Sequence, residues 1–259
     1  MADQINLNDL IMRDGSNDNE KEFVRKFYNE RKKPVVTDEV TVFFDEIKAN
    51  LIREIKQSEL VLGCVAWLTD FDILEALSKV PSVVICVQKE DFLRPDVGVK
   101  ANDKAWRLKL RNAYDKLKHD RVSRLDFSPI LREANRLGEE GFDHSVVCVG
   151  NYNRDKNPAF PRMHNKFLVM SDSKEFVPSL STLYNSEYDV RNGHNKLTKV
   201  WTGSFNFTQN AGRSFENALL LTNPEIVQAY FLEWQYIMMF SEDLNWYSDW
   251  TEPELRIGS

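Results

Sequence analysis

The sequence predicts an α/β fold, and three observations carry the prediction. Apolar runs of strand length recur at 60–68, 82–88, 145–150 and 167–170. Segments with apolar residues at helical spacing alternate with them, so that 60–88 reads as a strand-helix-strand unit. The chain has 259 residues, enough for one large domain or a medium domain with extensions around an ample core.

Residues 1–36 are polar and read as an N-terminal extension in which Phe23, Val24, Phe27 and Tyr28 form a short docking helix. From Thr37 a helix is expected, because Val40, Phe43, Phe44, Ile47, Leu51 and Ile55 recur at steps of three and four and Thr37 or Asp38 can cap the start. A buried strand over 60–68, a helix over 70–80 and a second apolar strand over 82–88 follow. The segment 101–118 is an amphipathic helix with Trp106, Leu110, Ala113, Tyr114 and Leu117 on one face. Beside that face Lys104, Arg107, Arg111 and Lys118 make a stripe, read either as a solvated surface or as a track for phosphates. Past the strand at 145–150, a polar loop over 151–161 leads into the next strand. Asn223 caps and Pro224 opens a helix over 225–240, with Ile226, Tyr230, Trp234 and Ile237 toward the core. Residues 242–259 form an acidic tail in which Trp246 and Trp250 are expected to dock.

The net charge of −6 argues against a surface coated for nucleic-acid binding, but its distribution is uneven. Residues 89–125 hold eleven Lys and Arg against six Asp and Glu, which makes the middle basic between acidic ends. Cys64, Cys86 and Cys148 lie in strand-like runs without C-x-x-C spacing, so they read as free buried thiols, and no metal site is expected. The N-terminus lacks a basic and apolar leader and no apolar run is long enough to span a bilayer. A cytoplasmic protein without stable membrane association is expected.

The chemistry concentrates in PRMHNKFLVMSD and KVWTGSFNFTQNAGRSFENALLL. His164 carries an imidazole that is both nucleophilic and basic near neutral pH. Lys166, two positions on, projects from the same face of an extended segment and brings a cation to the same phosphate. Gly203, Ser204, Phe205 and Asn206 add small and amide-bearing groups able to approach and bond phosphate oxygens. His194-Asn195-Lys196 repeats the triplet, but it follows the turn signal Asn192-Gly193 and runs into polar sequence, so His164 is the reacting histidine of choice.

At these residues the chain resembles the phospholipase D superfamily, whose signature is His-x-Lys-x4-Asp followed by Gly-Ser-x-Asn and a downstream acid. His164, Lys166, Gly203, Ser204, Asn206 and Glu216 match it, whereas Ser171 stands at the Asp position and Asp172 follows one residue late. The resemblance implies a phospholipase D-like fold: a mixed central β-sheet flanked by helices on both faces, here over 37–241, with an inserted loop at 171–198 overhanging the catalytic strand. It implies hydrolysis through a phosphohistidine without a cofactor, Lys166, Ser204 and Asn206 binding the phosphate and Glu216 orienting a histidine. That scheme needs two histidines, so a chain with one credible motif is expected to be a homodimer with a shared site. Its interface should bury Phe or Trp near the loop 203–207, and His144 and His194 are the reserve acids if a monomer is active. A nuclease acting on DNA or RNA, in restriction or defence, is the leading reading. The alternatives are a phospholipid or small-phosphodiester hydrolase using Phe176, Val177, Leu180, Leu183 and Tyr184 as an apolar access surface, and a catalytically weak binding or scaffold subunit.

Overall fold

The computed structural model describes residues 7–9, 17–95, 101–119, 144–151, 162–173 and 197–246. Helix α1 (Asp18–Lys32) leads into a short strand β1 (Val35–Val36) and strand β2 (Val40–Phe43). Helix α2 (Ile47–Lys56), β3 (Leu60–Val65), α3 (Phe71–Leu77) and β4 (Ser82–Gln88) follow. Next come α4 (Ala101–Tyr114), β5 (Val146–Val149), β6 (Lys166–Ser171), β7 (Lys199–Gly203), β8 (Ala218–Leu221) and α5 (Pro224–Met238). The strands form one sheet in the order β1-β2-β8-β7-β6-β3-β4-β5. The β3-β4 and β4-β5 pairs are parallel and the remaining pairs are antiparallel, which makes the sheet mixed as expected.

Alternation along the central strands builds two cores. Val61 and Val65 of β3, Val83, Ile85 and Val87 of β4, and Leu168 and Met170 of β6 face α2, α3 and α4. Leu60, Leu62 and Cys64, Val84 and Cys86, and Phe167 and Val169 face the opposite way, toward α5. Helices therefore cover both faces. Gly63 sits where a Cβ would lie 2.5 Å from the Leu168 side chain, so β3 and β6 touch closely at the middle of the sheet. All three cysteines are free and buried, and burial pushes each thiol well above its usual range.

The helix expected from Thr37 begins ten residues late. Val40–Phe43 is strand β2, paired with β8 from Val40 opposite Leu221 to Phe43 opposite Ala218. Helical spacing competes here with β-branched Val40, Thr41 and Val42, and pairing to a buried partner strand decides the outcome. Thr37 does not cap a helix but closes the turn into β2, its N–H donating to Val40 O at 2.8 Å. Phe43 stacks on Trp201 with centroids 5.2 Å apart, and α2 starts only after Glu46 takes a left-handed conformation at φ 49°.

Three further expectations are corrected. In α1 Phe23 and Phe27 are 72% and 68% exposed, so the helix forms, with an Asn17–Glu20 capping box, but does not dock by those residues. Tyr28 makes the attachment by donating to Asn8 O at 2.9 Å. In α5 the fully buried stripe is Val227, Phe231, Trp234 and Met238; of the expected face Trp234 is buried, Tyr230 and Ile237 pack half-buried against the same core, and Ile226 stays exposed. Apolar residues occupy more than one side of that helix, and the sheet face selects the stripe. The helix expected over 101–118 ends at Tyr114; Leu110 and Tyr114 in α4 and Leu117 just beyond it are buried and Ala113 packs beside them as expected, whereas Trp106 stays exposed.

The tail docks through Trp246, which is buried, while Trp250 lies outside the described residues. Glu242 pairs with the fully buried Lys89 and bridges to Cys148 on β5. Among the described residues no helix is long and apolar enough to cross a membrane.

Lys199 and Glu54 form a second buried ion pair at 3.1 Å, tying β7 to α2. Lys199→Met leaves the carboxylate, among the described residues, with Arg53 alone beside it at 3.3 Å, and should lower unfolding stability by about 3 kcal/mol in urea titrations. Adding Glu54→Leu should restore most of that loss, whereas simple additivity of the two variants would show that the pair is not coupled.

Candidate active site

One edge of the sheet collects the motif residues. β3, β4, β5 and β7 end there and β6 and β8 begin there, because β6 runs antiparallel to β3 and β7. Lys166 opens β6 opposite Val65, and Ala66 N–H donates to Asn165 O at 2.9 Å, extending the pairing to the residue beside His164. The same edge receives Gly203 at the end of β7, opposite Ala218. Two distant stretches of sequence thus meet through strand register.

Lys166 Nζ lies 3.2 Å from Nδ1 and 3.3 Å from Nε2 of His164 and donates to its backbone oxygen at 3.0 Å. An ammonium has only donors, so this approach suits an imidazole that offers a lone pair rather than a second positive charge. Burial, then Lys166, then Arg162 hold the His164 imidazole below its usual range. Lys166 is itself lowered by burial, with Glu216 opposing the shift. The result is a neutral, solvent-facing imidazole beside a cation.

The second motif is stitched from both sides. Ser204 N–H donates to Asn217 O at 3.1 Å, Asn217 N–H donates to Ser204 Oγ at 3.0 Å, and the Ser204 hydroxyl donates to Glu216. Gly203 permits this, since a Cβ there would stand 2.3 Å from Asn217 O. Phe205 and Phe207 turn inward and are 2% and 0% exposed, which leaves the intervening Asn206 on the other side. Its Oδ1 is buried and has no hydrogen-bond partner among the described residues. Phe207 O accepts from Thr69 and Asp70 at 2.8 and 2.9 Å, fastening this loop to the exit of β3.

All five candidate residues, His164, Lys166, Ser204, Asn206 and Glu216, belong to this edge. Within one chain Glu216 accepts from Ser204 and lies within electrostatic reach of Lys166. Ser171 is fully buried at the far end of β6, roughly 20 Å from His164 at about 3.3 Å per strand residue. Asp172 accepts from Thr198 there, so the missing motif carboxylate concerns the other edge of the sheet. His144 precedes β5 at that same far edge, lining a cavity of about 660 Å³ with His119, Tyr114 and Leu244. His194, the repeated triplet and most of the 171–198 insertion, including Phe176, Val177, Leu180, Leu183 and Tyr184, lie outside the described residues.

The basic middle is partly structural. Arg107 is buried and binds the Asp91 carboxylate at 2.9 Å and the Asp91 and Arg94 carbonyls, Arg111 bonds Asn245, and Lys89 is paired in the core. Lys104 and Lys118 remain exposed. Of the aromatic residues in and near the loop 203–207, Phe205 and Phe207 belong to this chain's own core, whereas Phe215 next to Glu216 is 65% exposed. Among the described residues no group of three or more His, Cys, Asp and Glu is placed to hold a metal ion.

Sequence reasoning missed Gln88. Its amide donates to Lys89 O and Asn151 O at 3.1 Å, and its Oε1 accepts from Met163 N–H at 2.8 Å, pinning the residue before His164. Gly150, at φ 98°, clears the space, since a Cβ there would fall 2.5 Å from Gln88 Oε1. A polar residue closing an apolar run at a strand end was the available signal.

No protein-family model matches the chain. It is 27% identical over 215 residues to an uncharacterised protein, L381, of Acanthamoeba polyphaga mimivirus, spanning 80% of this chain and 67% of that one. Similar solved structures include Nuc from Salmonella typhimurium, described as a phospholipase D family member, at 16% identity and TM-score 0.42, with 82% of this chain and 98% of that chain covered. NucT from Helicobacter pylori matches at 14% identity and TM-score 0.44 over 77% and 95% of the two chains. A phosphatidylserine synthase from Haemophilus influenzae Rd KW20 matches at 12% identity and TM-score 0.40 over 90% and 48%.

Gln88→Leu leaves Met163 N–H and two carbonyls without these partners and should lower stability by about 2 kcal/mol in chemical denaturation. A variant as stable as the parent would show that the segment entering His164 is fixed by other contacts.

Proposed function

We propose that this chain is a phosphodiesterase of the phospholipase D type that cleaves nucleic acid without a metal cofactor. The observation that supports the reading best is the contact of Lys166 Nζ with the His164 ring at 3.2 Å, on the sheet edge that also holds Ser204, Asn206 and Glu216. A neutral imidazole is a nucleophile, and the adjacent ammonium can neutralise the charge that grows on the phosphate oxygens. Asn206 Oδ1 has no hydrogen-bond partner among the described residues, and its amide nitrogen offers the donors that phosphate oxygens need.

In the proposed reaction a ring nitrogen of His164 attacks phosphorus, the bond from phosphorus to the leaving oxygen breaks, and a second imidazole gives its proton to that oxygen. The same second imidazole then takes a proton from water, which attacks phosphorus and breaks the phosphorus-nitrogen bond. Lys166 and Asn206 hold the non-bridging oxygens through both steps, while Glu216 fixes Ser204 and partly offsets the cationic environment of Lys166. His144 is at the far edge of the sheet, so the second imidazole is assigned to His164 of another copy related by a two-fold axis. The bound phosphodiester anion favours protonation of one imidazole of the pair, which divides two identical groups into nucleophile and acid. A nuclease in restriction or defence remains the substrate reading, with the half-exposed Arg162, two residues before His164, as a further cation beside the site.

The test is incubation of purified protein with DNA, RNA and phospholipid in excess EDTA. Nucleic acid should be cut in chelator, His164→Ala should reduce the rate by at least about a thousandfold, and His194→Ala should keep most of it. Activity that requires Mg²⁺, or that follows His194 instead of His164, would contradict the assignment.

A shared site also has a stoichiometric signature. After subunit exchange with excess His164→Ala, activity should fall below simple dilution, because each mixed dimer keeps one histidine of the pair. A fully active monomer in light scattering at assay concentration would contradict the two-copy site.

A further inference from the structure

His164 has a neighbour that the motif does not contain. The indole of Trp67 meets the imidazole edge to face, with ring centroids 5.3 Å apart and planes at 78°. Trp67 follows the end of β3 and is half-buried. Its Nε1–H donates to Glu90 Oε1 at 3.3 Å, and Glu90 lies just past the end of β4. The two strands are parallel neighbours, so their exits deliver an indole and the carboxylate that holds it to one side of the β6 entrance. Glu216, the acid expected to orient a histidine, is engaged with Ser204 in the same chain.

We propose that Trp67 and Glu90 are positioning residues for the His164 imidazole, Glu90 fixing the indole and the indole fixing the ring. This rests on the reading of His164 as the reacting group. An edge-to-face contact restrains ring rotation without competing for either ring nitrogen, which a hydrogen bond from a carboxylate would do. The ring nitrogens stay available for Lys166, for phosphorus and for a proton. The indole also withdraws water from one side of the imidazole, in keeping with burial as the largest cause of its lowered basicity. The charged groups around it are Lys166 on β6 and Arg162 in the segment before it, with Glu90 behind the indole and Glu216 beyond Lys166. Burial raises the Glu90 carboxyl, and the indole N–H and Arg162 pull it back, so the indole N–H faces an acceptor in either protonation state.

The experiment is histidine-labelled NMR titration of the full chain, with the His164 resonances assigned by their loss in His164→Ala, beside steady-state kinetics on a single-stranded oligonucleotide. Trp67→Ala should move the His164 titration upward toward the ordinary imidazole value, because a desolvating wall is lost while Lys166 and Arg162 remain. Its kcat should fall about tenfold with KM changed less than twofold, as expected for a misplaced nucleophile rather than weakened binding. Glu90→Leu should reproduce the kcat loss, while Glu90→Gln, which keeps an acceptor for the indole, should recover most of it. Unmoved His119 and His144 resonances check that each variant is folded.

An unchanged His164 titration in Trp67→Ala, or equal kcat in Glu90→Gln and Glu90→Leu, would overturn the proposal. The titration needs no substrate, so it decides the positioning role even if His164→Ala proves active and the phosphodiesterase reading fails.

Discussion

An ammonium held against an imidazole is the constraint on which the site depends. Lys166 Nζ is within 3.3 Å of both ring nitrogens of His164, so a proton on the ring would place two positive charges in contact. Burial first, and this ammonium next, lower the basicity of the imidazole and favour its uncharged form, whose lone pair is nucleophilic. That contact depends on the sheet. β6 is clamped between β3 and β7 over its length, and a slip of one residue would turn Lys166 to the opposite face and bury a charge in the α5 core.

The surrounding architecture serves this edge from several elements. Gln88 anchors Met163, the Gly203 segment is bonded to Asn217, and Phe207 O ties the same loop to the exit of β3. The N-terminal residues reach it too: Leu7 N–H donates to Arg213 O and Asn8 to Ser214 O at 3.0 Å, three and two residues before Glu216. Arg31 of α1 lies over the Phe215 ring at 5.3 Å. Segments 7–9 and 18–36 thus contact the unit that carries the site, through the loop before β8 and through the pairing of β1 with β2.

The sequence made β3, β4 and β5 legible because each is a compact apolar run buried on both faces. The exact start of α5 was legible in Asn223 and Pro224, since capping is a local hydrogen-bond requirement. β2 was misread because Val40, Phe43 and Ile47 satisfy helical spacing, and only the presence of β8 alongside tells strand from helix. At α5 Tyr230, Trp234 and Ile237 do face the core and Ile226 does not: Ile226 and Val227 are equally apolar, and the sheet chooses between them. The candidates His164, Lys166, Ser204, Asn206 and Glu216 were picked out by motif spacing, and strand register gathers them at one end of the sheet. Trp67, Gln88 and Glu90 could not be picked out in this way, since an indole at the end of an apolar run resembles any core residue until the fold sets it beside an imidazole. Arg107 fits neither reading of its stripe, solvated face or phosphate track, because it is buried and paired with Asp91.

The claim at the centre of this account is covalent chemistry at His164, and the most direct measurement is rapid quench into alkaline denaturant during turnover, followed by mass spectrometry of the His164 peptide. A phosphoramidate is stable in base and labile in acid, so the account predicts a nucleotide adduct on His164 that vanishes on acid treatment and never exceeds one per two chains. Turnover with no adduct on His164 at any quench time, or an adduct on another residue, would contradict it.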